Sequence, residues 1–198
     1  MSACLRLVAI ALLILAGCSC SAPRATRDGV LRGQVVALAD GDTITVLDQD
    51  KVQHKIRLVG IDAPERKQPF GRRSTEHLSD LVFRKVVEVE WTKRDRYGRI
   101  LGKVLVADPA CTREPCGKVD ANLAQVHAGF AWWYRQYAKD QPAEDRRAYS
   151  EAEEASREAK RGLWADPSAT PPWQWRRAKK GTRKGARQPE ASGRAAAP

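Results

Sequence analysis

The sequence contains no apolar run of the ~18 residues that a membrane-spanning helix requires. Its run from Leu7 to Gly17 is about a third short of that length. Histidine is scarce: His54, His77 and His127 stand far apart with no paired spacing, which argues against a zinc centre built on histidines and against a metal-independent ribonuclease working through two of them. No segment repeats itself, so a solenoid or propeller is excluded. Acidic residues are in deficit, with 24 Asp and Glu against 35 Lys and Arg. The net charge of +11 and pI near 9.7 disfavour basic partners and suit polyanions, either nucleic acid or an anionic lipid surface.

At the N-terminus, Arg6 and the run Leu7 to Gly17 have the form of a secretory h-region. The run closes in Leu15-Ala16-Gly17-Cys18, which resembles a bacterial lipobox and implies that Cys18 is lipidated and becomes the mature N-terminus; cleavage as a plain signal peptide is the alternative. Residues 1–17 are therefore expected to be a signal peptide and 18–30 a lipidated tether, holding the protein to a membrane of the cell envelope. Export changes how the cysteines are read. Cys111 and Cys116 bracket four residues of a Pro-containing loop, and an oxidising compartment favours a local disulfide over a zinc site that needs two further ligands. Cys4 leaves with the signal peptide, and Cys20 has no assigned role. Beyond Trp175 basic residues from Arg176 to Arg194 face only Glu190, so 166–198 is read as a disordered tail, either solubilising or polyanion-binding.

Between the ends, 31–165 is expected to form one domain. β-rich runs near 32–39, 43–48 and 52–60 are divided by Asp40-Gly41 and by Asp48-Gln49-Asp50. In the third run Val52, His54, Ile56 and Leu58 share one face and Gln53, Lys55 and Arg57 the other. A helix follows, with Leu78, Leu81 and Val82 on one side and Ser74 or Thr75 near its start. Then come strands "KVVEVEW" and "RILGKVLVA", a short helix capped by Asp120 and stopped at Gly129, and a helix over about 143–161 with Ala148, Ala152, Ala155 and Ala159 in a stripe. This order predicts an α+β fold, a five-stranded OB-type barrel with about three helices packed outside. Such barrels commonly bind nucleic acid on one face and its loops.

The stretch "IRLVGIDAPE" carries Arg57 at one end of an apolar run and Asp62 and Glu65 at the other. Asp42 opens the second strand and Asp62 closes the third, so antiparallel neighbours bring both carboxylates to one rim. Two carboxylates with a backbone carbonyl and waters suit a hard cation, Ca²⁺ more readily than Mg²⁺. Taken singly, Asp40, Asp42 and Asp62 also read as turn formers. Arg57 and Arg99 offer planar forks for phosphate oxygens, although either alone reads simply as a solvent-facing strand residue.

The ordered set "DGDTI", "IRLVGIDAPE", "DRYGR", "GFAWWYRQYA" and "AKRGLW" resembles the staphylococcal nuclease-like (thermonuclease) domain family from about Gly33 to Trp164. Any one motif is weak; the full set in order is specific. The resemblance implies an OB barrel that hydrolyses DNA and RNA with Ca²⁺ and little sequence preference, leaving 3′-phosphates. It implies Asp42, Asp62 and the Ala63 carbonyl as Ca²⁺ ligands, Glu65 as the residue that positions or deprotonates water, and Arg57 and Arg99 as phosphate clamps. Position 63 is threonine in the namesake, but the backbone is the ligand there. Arg96 and Tyr97 match a lysine and tyrosine near a terminal phosphate, and Tyr137 matches a tyrosine of the base-binding surface; Arg135 stands where a second such tyrosine is found. The segment "PPWQWRR" resembles the end of bacterial members. The expected activity is thus that of an exported, monomeric, Ca²⁺-dependent nuclease. The alternatives are a non-catalytic OB-type nucleic-acid-binding module, which is expected to have lost Asp42, Asp62 or Glu65, and a lipoprotein structural to the envelope.

Overall fold

Alternation of apolar and polar residues from Gly29 onward builds strands whose inward side chains close on one another. The computed structural model describes residues 29–108, 110–112 and 115–185; the expected signal peptide, residues 18–28 of the expected tether with Cys18 and Cys20, and residues 186–198 lie outside them, while Gly29 and Val30 open the first strand. In chain order the strands are β1 (Gly29–Asp40), β2 (Thr43–Asp48), β3 (Gln53–Leu58), β4 (Ile61–Asp62), β5 (Val86–Arg94), β6 (Ile100–Ala107), β7 (Lys118–Asp120) and β8 (Trp132–Trp133). The helices are α1 (Gly71–Val82), α2 (Ala121–His127), α3 (Ala143–Glu158) and α4 (Pro172–Gly185).

β1 serves two neighbours, pairing with β5 from Gly29 to Gln34 and with β2 from Gly33 to Asp40. Register shifts between Val35 and Ala37 and between Leu38 and Asp40 bend it from one to the other, as bulges do. The order β3-β2-β1-β5-β6 then closes through a parallel pair in which Ile56 meets Ile100 and Leu58 meets Gly102. The result is the expected five-stranded closed barrel with helices outside. Val35, Ile44, Val46, Ile56, Leu58 and Ile100 fill it and are essentially inaccessible to water. Each such side chain contributes roughly 1.5–3 kcal/mol by leaving solvent.

α1 begins at Gly71, three residues before Ser74, after Phe70 takes a left-handed φ of 66°. Ser74 is therefore buried in the helix, and its hydroxyl donates to the Phe130 carbonyl at 2.8 Å. Asp120 caps α2 as expected, accepting from Asn122 N and Leu123 N. α3 ends at Glu158, three residues earlier than its pattern suggested, because Lys160 and Gly162 turn the chain with φ of 50° and 52°. Its buried stripe is Tyr149, Ala152, Glu153 and Ser156, not the alanine row; Ala155 and Ala159 are exposed. Tyr149 brings more apolar area than any alanine, and its hydroxyl donates to Asp120 at 2.8 Å. Cys111 and Cys116 are joined by a disulfide, with Cα atoms 5.6 Å apart.

The largest difference lies after residue 166. In place of a tail without structure, α4 begins at Pro172, a residue preorganised for the first helical position. Trp173 stacks on Tyr134 at 5.3 Å and 15° and meets Trp132 edge-on. The composition beyond Trp175 is as polar as it reads, but the anchor lies before it.

Candidate active site

Two glycines set the carboxylates. Gly41 lies against α1, where a Cβ would stand 1.8 Å from Ser74 Oγ, so only glycine lets the β1–β2 turn settle there. That turn presents Asp42, whose carbonyl accepts from Leu58 N at 2.8 Å and ties it to the end of β3. Gly60, at φ +78°, swings the chain out of β3 into β4. There Ile61 pairs with Trp133 and Asp62 with Trp132, which fixes Asp62 outside the barrel wall. The Ala63 N–H then donates to Asp42 Oδ2 at 2.7 Å.

Arg57 joins the two acids. Thr43 faces Arg57 across the β2–β3 ladder, and the guanidinium places Nη1 at 2.6 Å from Asp42 Oδ2 and donates from Nη2 to Asp62 Oδ1 at 3.0 Å. The Nη1 contact is an ion pair without hydrogen-bond alignment. Asp42 and Asp62 are 5% and 1% exposed. Burial pushes the Asp42 carboxyl up to about 8, with Asp40 and Asp62 adding to the rise and Arg57 opposing it.

Glu65 is more open, with 39% of its side chain exposed, and its partner is Arg176 of α4. Arg176 Nη1 donates to Glu65 Oε1 at 2.9 Å and to Asp62 Oδ1 at 3.2 Å, while Nη2 donates to Asp62 Oδ2 at 2.7 Å. These bonds to Asp62, and then to Glu65, raise the basicity of Arg176 against its partial burial. Arg176 was not singled out from the sequence. The resemblance of "PPWQWRR" to the end of bacterial members was the available signal.

Arg99 precedes β6, whose Leu101 is the partner of Arg57, so strand alternation sets both arginines on the outward face of adjacent strands. Its guanidinium is engaged within its own turn, by Asp95 Oδ2 at 2.7 Å from both Nε and Nη2. Desolvation opposes ionisation of Asp95, yet this bond and two backbone N–H groups hold its carboxyl below the ordinary range. The guanidinium groups of Arg96 and Arg99 lie 5.3 and 5.7 Å from the Tyr97 ring, which is 73% exposed. Tyr137, also exposed, meets Tyr134 edge-on at 5.1 Å. Tyr134 was missed from sequence: burial and then the Asp62 charge raise its phenol, while Arg176 and Arg57 oppose, so it stands within the field of the carboxylates. Arg135 instead pairs with buried Glu153 at 2.7 Å and covers the Trp133 ring.

Among the described residues no three His, Cys, Asp or Glu side chains gather into a metal cage. The hard-oxygen donors that converge are Asp42 and Asp62, and the contact recorded for Ala63 runs through its N–H. Asp42 and Asp62, with two guanidinium groups already seated among Asp42, Asp62 and Glu65, offer oxygen donors that fit a hard divalent ion keeping several waters.

The closed five-stranded barrel with buried carboxylates and guanidinium forks at its rim is, by its family match and relatives, a hydrolase of the nuclease class. The chain belongs to the staphylococcal nuclease homologue family, whose profile matches residues 55–166. Arg57, Asp62, Glu65 and Arg99 fall within the match; Asp42 and Arg176 lie outside it. The chain is 46% identical over 147 residues to Protein ParB of Escherichia coli, covering 74% of this chain and 80% of that one. It is 44% identical over 149 residues to an uncharacterized endonuclease of Escherichia coli, covering 75% and 87%. It is 43% identical over 152 residues to a micrococcal nuclease of Shigella flexneri, covering 75% and 82%.

Proposed function

We propose that this nuclease is an exported, Ca²⁺-dependent endonuclease that hydrolyses phosphodiester bonds of DNA and RNA with little sequence preference. The observation that carries this reading is the fork of Arg57 between two buried carboxylates, Asp42 and Asp62, beside an accessible Glu65. Asp42, Asp62 and the Ala63 carbonyl would hold the ion, and bound Ca²⁺ would supply positive charge to a phosphoryl oxygen. Arg57 grips the phosphate and takes up charge that develops on it. Arg99 does the same once its guanidinium turns from Asp95. Glu65 aligns the water that attacks phosphorus in line and accepts its proton. The bond to the 5′ oxygen breaks, that oxygen takes up a proton from water, and the phosphate stays on the 3′ side. Arg96 and Tyr97 meet the neighbouring phosphate, and Tyr134 and Tyr137 the base.

Plasmid incubated with the protein under Ca²⁺, Mg²⁺ and chelator tests this directly. Cleavage with Ca²⁺ that stops in chelator is expected; intact DNA in every condition refutes the enzyme reading and favours a binding module. Glu65→Gln is expected to lower kcat by about 10²–10⁴, the usual contribution of a general base, with the fold unchanged by circular dichroism. For export, the lipobox-like Leu15-Ala16-Gly17-Cys18 and the Cys111–Cys116 disulfide are the supporting features. Labelled palmitate incorporated by the cell into the chain, and lost in Cys18→Ser, is the expected outcome; equal labelling of both rules the anchor out.

A further inference from the structure

The guanidinium of Arg176 sits on the two carboxylates that the proposed chemistry uses, Asp62 and Glu65. Both Asp62 oxygens accept from it, and Oδ1 also accepts from Arg57, so an ion entering the coordination sphere of Asp62 must compete with guanidinium bonds at both oxygens. Glu65 Oε1 is bonded to the same group. The seat is built. Trp173 stacks on Tyr134 and meets Trp132 edge-on, and the Gln68 amide, three residues past Glu65, donates to the Thr170 carbonyl at 2.5 Å. These contacts hold the start of α4 so that position 176 faces Asp62 and Glu65.

We infer that Arg176 is an internal counter-cation that competes with the divalent ion for Asp62, so that loading the site with metal expels the Arg176 side chain from the carboxylates. Without metal the guanidinium relieves repulsion between Asp62 and Glu65. With metal, the displaced guanidinium remains tethered at the mouth of the pocket, where its planar fork suits a phosphate oxygen pair of the incoming strand. Arg176 therefore governs metal loading. This inference rests on the reading of Asp42 and Asp62 as cation ligands.

The test is Ca²⁺ affinity of the full chain at fixed ionic strength by calorimetry, with no substrate present. Arg176→Gln is expected to bind Ca²⁺ at least about tenfold more tightly than wild type, and Arg176→Lys, which keeps charge but lacks the fork, to fall between them. Arg177→Gln removes the same charge from an exposed neighbour and is expected to change affinity by no more than about twofold. Hydrogen exchange supplies a second readout on wild type: Ca²⁺ is expected to speed exchange at the start of α4. Equal or weaker binding by Arg176→Gln, or an equal gain in Arg177→Gln, overturns the competition while leaving the metal site intact. Absence of Ca²⁺ binding by wild type and Arg176→Gln alike, with both folded by circular dichroism, overturns the cation site itself and the competition with it.

Discussion

Arg57 holds together what burial would otherwise drive apart. Its guanidinium is the group that bridges Asp42 and Asp62, which are nearly inaccessible. Arg57→Ala removes the cation partner of buried Asp42 while Asp62 keeps Arg176, and breaking a buried pair on one side costs up to about 3–5 kcal/mol. Urea denaturation should show that loss. Glu65→Gln, at a half-open position, is expected to move stability by no more than about 0.5 kcal/mol while it lowers activity. Equal stability of Arg57→Ala and wild type would mean that Arg176 alone suffices as counter-charge. At this scale much of the site was legible. Asp42 and Asp62 sit where turn residues end neighbouring strands, and alternation puts Arg57 on the outward side of β3, so local grammar names them. Arg176 obeys no local rule. It reaches Glu65 across 111 positions of chain, and nothing in its neighbourhood of lysines and arginines marks one of them as inward-facing.

Elements were legible where a single period or cap decides them. Asp120 announces α2, and Asp40-Gly41 announces the β1–β2 turn. Elements shaped by partners were not: the two-residue strands β4 and β8 exist only because each supplies the other, and the α3 face is chosen by Tyr149 reaching Asp120 across the packed helices. That contact makes a prediction about pH. Burial first, and then the Asp120 charge and hydrogen bond, raise the Tyr149 phenol well above its ordinary 10.0. The folded state therefore keeps a proton that the unfolded chain releases above pH ~10, so the stability Tyr149 contributes is full below that pH and is lost as pH rises. One such group steepens the alkaline decline by up to about 1.4 kcal/mol per pH unit. Tyr149→Phe should start about 1 kcal/mol less stable near neutrality, having lost its bond to Asp120, and then decline less steeply between about pH 9 and 11. Parallel declines in urea midpoints for the two proteins would refute this account.

For the whole molecule the governing quantity is where the charge sits. Beyond Arg176 the chain carries seven Lys and Arg against one Glu, more than half of its net +11. α4 begins inside the candidate site and leads outward with Arg177, Lys179 and Lys180, the last two exposed and Lys179 Nζ 5.4 Å from the Trp175 ring. A polyanion drawn by that charge is delivered to the carboxylates at the start of the same helix, which couples long-range attraction to the place of cleavage. Deleting 177–198 while keeping Arg176 should separate the two effects. DNA binding measured in chelator, where cleavage is stopped, is expected to weaken most at low salt. The slope of log K against log salt should shrink by about 0.9 for each phosphate contact removed. Binding at high salt, where the barrel surface and its tyrosines dominate, should change little. An unchanged slope with uniformly lower affinity would show instead that the segment acts by bracing α4, so that its loss disturbs the site and not the capture of the strand.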